Sequence, residues 1–341
     1  MKYSLFVSFK RENNAGTKAV SDALRISEKL GYMAYSLYDE SVGSKIFNIF
    51  KGWLSLRLLK KKLKPNDIVF IQYPTNRFLI QYALRIIKKK KATSIVLIHD
   101  INFLRNAPLK FKSLQATERI ELSLIDAFDY VISHNTKMTR KLMECGVETR
   151  IFNLEIFDYL YSGSNATIDN NNSVIVAGNL FKKKAGYLYS QFSHDFIFNL
   201  YGSNLEFDLC DKHAKYCGSF KPDEMIENLK GRFGLVWDGD EIDGCSGDYG
   251  NYLRFNNPHK TSLYLAAGLP VIVWKESALC EFVEKNGVGF GVNSLNEVDE
   301  VIKKCDYDSM LNNITRIKRN LRDGFYLTEV LKKIEEQNEA Q

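Results

Sequence analysis

The chain has 341 residues, 45% hydrophobic and 26% charged, which suits about two soluble domains and excludes a disordered tail, a collagen or a mini-protein. Formal charge is +6 but unevenly spread: residues 1–150 carry 27 Lys/Arg against 13 Asp/Glu, a net +14, and the remainder 20 against 28, a net −8. A basic half beside an acidic half turns one lobe toward a polyanion, either nucleic acid or an anionic membrane.

Short β-branched runs alternate with helix-length amphipathic stretches, the pattern of parallel sheets covered by helices on both faces. Strands are expected at Lys2–Phe9, Tyr32–Leu37, Asp67–Tyr73, Ser94–His99 and Tyr130–Ser133, with helices over Thr17–Leu30, Phe78–Lys89, Ser113–Ile125 and Lys137–Cys145. Ser44–Lys64 holds Lys45, Lys51, Arg57, Lys60, Lys61, Lys62 and Lys64 with no acid, interleaved with Ile46, Phe47, Phe50, Trp53, Leu54 and Leu58. That is the composition of an amphipathic interfacial helix on anionic lipid. A core helix with a solvated basic face is the alternative, and a nucleic-acid surface is a third reading that lacks any reader motif. Lys88–Lys91 adds a second basic cluster.

Near Asp158–Asn172 the composition shifts to Gly, Ser and Asn, which is linker chemistry. A second series of strands follows at Ser173–Ala177, Phe196–Tyr201, Phe233–Trp237, Val271–Trp274 and Gly289–Val292, and Tyr307–Glu336 reads as helix. The expectation is an α/β protein of two Rossmann-like domains, residues 1–160 and 173–320, joined by a linker at 161–172 and followed by a C-terminal helix at 321–341. No apolar run reaches the roughly 20 residues that span a bilayer, and Met1–Lys10 lacks a signal-peptide pattern, so a cytoplasmic protein is expected. Six cysteines are too scattered for a disulfide framework. Cys210-x-x-His213-x-x-x-Cys217 offers zinc-ligand types without a fourth ligand, and its charges make it read as a solvated loop, so no metal site is expected.

The most informative chemistry lies in Phe233–Trp274. Asn257 can cap free N–H groups, Pro258 suits a first helical position, and Gly268 suits the left-handed residue that ends a helix. Lys260 then falls in the first turn, where the helix dipole repels a cation. An anion between Lys260 and the exposed N–H groups, such as a nucleotide diphosphate, would explain it; a solvated surface lysine is the alternative. Gly178-Asn179, at the end of a strand, precedes Lys182-Lys183-Lys184, and Gly16 opens another helix; neither matches a Walker loop or a GxGxxG fingerprint. For proton transfer the strand-end groups are His99 and Asp100, then Asp238 and Asp240, with His134 a further residue able to line a cleft; each Asp could equally be a helix cap.

Trp237-Asp238-Gly239-Asp240, Cys245-Ser246-Gly247 and Phe255-Asn256-Asn257-Pro258-His259-Lys260-Thr261-Ser262 resemble the bacterial β-1,6-galactofuranosyltransferases that build O-antigen and related surface polysaccharides. The likeness extends to Leu97-Ile98-His99-Asp100-Ile101, Val131-Ile132-Ser133-His134-Asn135, Ile156-Phe157-Asp158-Tyr159-Leu160 and Ala177-Gly178-Asn179-Leu180. Glucosyltransferases of glycosylated adhesins look similar, more distantly, around Lys260–Val273. The resemblance implies a GT-B fold, an acceptor on the N-terminal lobe, a UDP-sugar on the C-terminal lobe, and no required metal or other cofactor. Many GT-B enzymes carry a Glu-x7-Glu pair on the donor helix; those places are Phe255 and Leu263 here.

The site expected on these grounds has Asp100 as first choice of base, with His99 and Asp238. Donor contacts are expected from Gly16, Gly178, Asn179 and Lys182 on one side, and from Asp240, Ser246, Asn257, Lys260 and Thr261 on the other. The implied reaction is transfer of galactofuranose from UDP-galactofuranose to a glycoside or lipid-linked oligosaccharide. An anionic membrane would be met through 44–64 and 88–91, with no nucleic-acid partner. A transferase of glucose or another hexose, and an inactive partner subunit of another transferase, are the rivals. Acceptor, linkage and any homo-oligomer remain open.

Overall fold

The computed structural model describes residues 1–8, 15–105, 116–169, 171–206, 209 and 212–340, with residues 15 and 16 as backbone only. The chain divides into two compact units, Met1–Glu12 with Ala19–Leu154 and Tyr326–Gln341, and Asn13–Lys18 with Glu155–Phe325.

In the first unit β1 (Lys2–Ser8), β2 (Met33–Asp39), β3 (Ile68–Tyr73), β4 (Thr93–Ile98), β5 (Tyr130–Ser133) and β6 (Arg150–Asn153) form one sheet in the order β2-β1-β3-β4-β5-β6. Every pairing is parallel. The connections carry α1 (Ala15–Lys29), α2 (Lys45–Lys62), α3 (Arg77–Lys90), α4 (Asn102–Arg105), α5 (Ala116–Asp126) and α6 (Thr136–Glu144). β3 is buried along its whole length, as a strand covered on both faces must be, which is why it reads as an apolar run interrupted only by Gln72.

α2 departs from the expected amphipathic pattern. It buries Asn48, Gly52, Leu56 and Leu59, yet Ile46, Phe47, Phe50, Leu54 and Leu58 stay exposed, so the helix is apolar on two sides. Its Lys60, Lys61 and Lys62, like Lys88, Lys89 and Lys90 of α3, occupy the last helical turn, where the negative end of the macrodipole favours cations.

In the second unit β7 (Ser173–Asn179), β8 (Ile197–Ser203), β9 (Ala214–Gly218), β10 (Phe233–Val236), β11 (Val271–Trp274) and β12 (Gly289–Val292) form a parallel sheet in the order β12-β11-β10-β7-β8-β9. Around it lie α7 (Lys182–Ala185), α8 (Pro222–Asn228), α9 (Gly247–Tyr252), α10 (His259–Ala267), α11 (Leu279–Lys285), α12 (Val298–Lys304) and α13 (Tyr307–Asp323). The expected single helix from Tyr307 is broken at Gly324, whose φ of 83° is left-handed. Beyond it α14 (Phe325–Glu339) belongs almost wholly to the first unit, where Glu335 pairs with Lys2 at 2.5 Å and Asn338 accepts from Thr93 at 2.8 Å.

The edge strands β6 and β9 were not expected from the sequence, because a short edge strand lacks the apolar run of a covered one. β9 takes in Lys215 and Cys217, so that part of the zinc-like segment is strand rather than solvated loop; Cys210 and Asp211 lie outside the described residues. No metal-binding group of three His, Cys, Asp or Glu occurs among the described residues. The Gly/Ser/Asn stretch is no free tether. Ala166 N donates to Ala267 O at 3.1 Å and Thr167 N to Leu229 O at 2.9 Å, and the Arg322 guanidinium donates to the carbonyls of Gly163 at 2.9 Å and Ser164 at 3.1 Å. Among the described residues no helix is long and apolar enough to cross a membrane.

Candidate functional site

Each sheet reverses its strand order once, between β1 and β3 in the first unit and between β7 and β10 in the second. In open parallel sheets the crevice beyond the carboxyl ends of such strands is where ligands bind.

In the second unit that crevice is framed by Gly178-Asn179 ending β7 and Trp237-Asp238 following β10. The two ends are tied by backbone bonds, Gly239 N to Lys184 O at 2.8 Å and Tyr187 N to Gly239 O at 3.1 Å. Gly239 has φ of 111°, and a Cβ there would stand 2.4 Å from Ser246 O, so the Asp238–Gly250 loop folds tightly on itself. The first turn of α10 brings in Lys260. Its ammonium donates to Asp238 Oδ1 at 2.7 Å and to Trp237 O at 2.8 Å. Burial pushes the Lys260 pKa down while Asp238 opposes the shift, and Lys184 is the nearby cation that adds to it. Lys260 thus pairs with the buried Asp238 carboxylate while the Lys184 ammonium adds a second positive charge nearby. Thr261, fully buried beside them, has no partner for Oγ1 among the described residues, and the same holds for the buried Tyr187 hydroxyl. Excess positive charge and unused hydroxyls at a helix N-terminus suit an oxyanion.

Asn257 is not the helix cap that its position suggested. Pro258 occupies the cap position, and the buried Asn257 amide donates instead to Glu155 O at 2.9 Å. Gly268 ends the helix in the left-handed region, as expected. Lys182 is exposed, 5.1 Å over the Tyr189 ring, so Lys184 rather than Lys182 stands near Lys260; nothing in three consecutive lysines distinguishes them. Asn179 Oδ1 accepts from Phe181 N at 3.1 Å and Asn204 Nδ2 at 3.0 Å. Asp240 is exposed, and Ser246 stands at the cap position of α9. Gly16 lies in the first turn of α1. His259 is core: it stacks on Tyr159 at 5.2 Å, and burial holds it down to about 4.

In the first unit a hollow at the β1/β3 switch is lined by Leu5, Val7, Ile71, Gln72, Thr75 and His99. His99 Nε2 lies 2.6 Å from Gln72 Oε1. A donating Nε2–H leaves the lone pair of the neutral ring on Nδ1. Gln72 was missed, although one amide inside an otherwise apolar strand is a readable signal. Asp100 follows directly; Arg105 forks onto it, Nε reaching Oδ1 at 3.1 Å and Nη2 pairing with Oδ2, while Ile101 N donates to Oδ1 at 3.0 Å. His134 does not line the hollow. It is 1% exposed with Nε2 3.0 Å from Ile98 O, and burial lowers it to about 4.

Two family models together span nearly the whole chain, Glucosyltransferase 3-like, N-terminal domain, over residues 5–156, and Glucosyltransferase 3-like, C-terminal domain, over residues 174–334. The chain is 32% identical to beta-1,6-galactofuranosyltransferase WbbI of Escherichia coli (strain K12), over 96% of each chain. It is 26% identical to Glucosyltransferase 3 of Streptococcus gordonii, over 92% of each. Among solved structures, WaaG, a glycosyltransferase involved in lipopolysaccharide biosynthesis, matches 98% of this chain and 99% of its own with a TM-score of 0.56 at 12% identity, a likeness of fold. The chain thus belongs to the Glucosyltransferase 3-like family, is a relative of this galactofuranosyltransferase, and is a glycosyltransferase of GT-B fold.

Proposed function

We propose that the protein transfers galactofuranose from UDP-galactofuranose, with inversion, to a hydroxyl of a growing lipid-linked surface polysaccharide, O6 of a hexose. The observation that carries the donor is the 32% identity over 96% of both chains to a beta-1,6-galactofuranosyltransferase. The diphosphate is held by Lys260, Lys184, the Thr261 hydroxyl and the N–H groups opening α10. These cations stabilise the leaving diphosphate electrostatically, and the reading calls for no metal. Asp238 is the counter-charge of Lys260 while the site is empty. Asp100, oriented by Arg105, takes the proton of the acceptor hydroxyl; the hydroxyl oxygen bonds to the anomeric carbon as the bond from that carbon to the diphosphate oxygen breaks, and UDP leaves. Gly178, Asn179, Ser246 and Asp240 border the donor, His99 borders the acceptor, and the acceptor's lipid end brings the enzyme to an anionic membrane.

UDP-glucose is the second donor reading, supported by the 26% identity to Glucosyltransferase 3 of Streptococcus gordonii. A panel of UDP-sugars with a water-soluble alkyl glycoside, read by product mass, separates the two; transfer from UDP-glucose alone overturns the galactofuranose reading. Asp100→Asn should leave UDP affinity intact and lower turnover by about 10²-fold or more, the usual contribution of a general base. A near-wild-type rate, with collapse in His99→Gln instead, would move the role to His99.

A further inference from the structure

We propose that the outward face of α2, continued by the start of α3, docks onto the surface of an anionic lipid bilayer, its apolar side chains entering the acyl boundary and its flanking cations meeting the headgroups. This rests on the membrane part of the function proposed above and gives it a defined surface.

Ile46, Phe50, Leu54 and Leu58 recur every four residues and so form one stripe along α2, with Phe47 beside it. Ile46 is 82% exposed, Leu58 56% and Phe50 53%, although the opposite side of the same helix already supplies the buried contacts. The patch continues across to α3: Phe50 stacks on Trp53 at 6.1 Å and Trp53 on Tyr82 at 6.2 Å, and one turn before Tyr82 stands Phe78, 58% exposed. Contiguous exposed apolar surface of this kind marks an interaction site.

The cations select the partner. Lys51 lies 4.5 Å over the Phe47 ring, Arg57 4.7 Å over Trp53 and Arg77 4.8 Å over Phe78, so charge and apolar surface alternate at one level. Neither α2 nor α3 contains an acid. A second copy of the chain would therefore set two wholly cationic faces against each other. An anionic bilayer answers both properties, taking the aromatic rings at its interface and the lysines at its phosphates.

The test is sedimentation of the full-length protein with vesicles of phosphatidylcholine containing about a third phosphatidylglycerol, against phosphatidylcholine alone. The wild type should bind the anionic vesicles and not the neutral ones. Ile46→Ser/Phe50→Ser should weaken that binding by about tenfold or more, from the lost apolar burial, while turnover on a water-soluble alkyl glycoside stays unchanged. The proposal is overturned if the wild type is not retained, if the double variant binds equally well, or if the substitutions dissolve a concentration-dependent dimer instead. Absence of galactofuranose transfer to the soluble acceptor would sink the functional reading while leaving vesicle binding standing, so the two failures are distinguishable.

Discussion

A lysine in the first turn of a helix faces the positive end of the dipole, and at Lys260 the Asp238 carboxylate 2.7 Å away offsets that repulsion. The chain pays for that arrangement with a buried pair, and removing one partner from such a pair costs on the order of 3 kcal/mol or more. Asp238→Asn should therefore lower the melting temperature. It should also make UDP binding sensitive to alkali: burial already pushes the Lys260 pKa down, and without the carboxylate that opposes the shift the ammonium loses its proton at lower pH. Calorimetry across an alkaline pH series should show the variant losing UDP affinity at lower pH than the wild type. Lys260→Ala should lose affinity at every pH, about 10²-fold for a charge-assisted contact to phosphate. Pro258 and Gly268 in the sequence placed Lys260 in the first turn of its helix, where the structure has it. It concealed the Asp238 partner, 22 residues away, because proximity across a crevice leaves no trace in local spacing.

At the scale of elements the donor crevice depends on two glycines for different reasons. Gly202 of β8 has φ of 144°, and a Cβ would stand 1.7 Å from Gly178 O, so β7 and β8 can end side by side only with glycine there. Gly268 also has positive φ, 86°, but nothing lies closer to an added Cβ than 3.7 Å. Gly268→Ala should cost only about 1–2 kcal/mol of left-handed strain. Gly202→Ala adds a backbone collision, should cost about 3 kcal/mol or more, and should weaken UDP binding by displacing Gly178; paired thermal melts and UDP titrations check the ordering. The core strands were legible because a parallel strand covered on both faces writes itself as an apolar run, as Val271–Trp274 does. β6 and β9 were not, since an edge strand such as Ala214–Gly218 keeps most of its side chains wet. Gly163-Ser164 looked like a linker because composition reports flexibility and not the guanidinium of Arg322 that holds it.

Across the whole molecule, acid stability hangs on two buried histidines, His134 in the first unit and His259 in the second, each held at about 4 against an ordinary 6.5. Between those values the unfolded chain binds protons that the folded chain refuses, so stability is full above pH 6.5 and falls as pH drops toward 4. The loss is on the order of 3 kcal/mol for each histidine. Melts taken from pH 7 down to about 4.5 should show the decline, and His134→Gln, which keeps a donor for Ile98 O, should shrink it. A flat profile would contradict the burial of both rings. The uneven charge of the sequence also resolves at this scale: much of the basic excess lies on α2 and the end of α3, in the unit that also holds the His99 hollow.

The chain has only three tryptophans, and their placement gives the protein its own optical labels. Trp53 sits within the exposed aromatic patch between Phe50 and Tyr82, whereas Trp237 and Trp274 are buried in the second unit, the first of them lending its carbonyl to Lys260. Emission from Trp53 would follow the polarity around α2, and emission from Trp237 would follow occupancy of the nucleotide crevice. A Trp53→Phe variant would leave only the signals of the second unit, so donor contact could be watched apart from lipid contact without an attached dye.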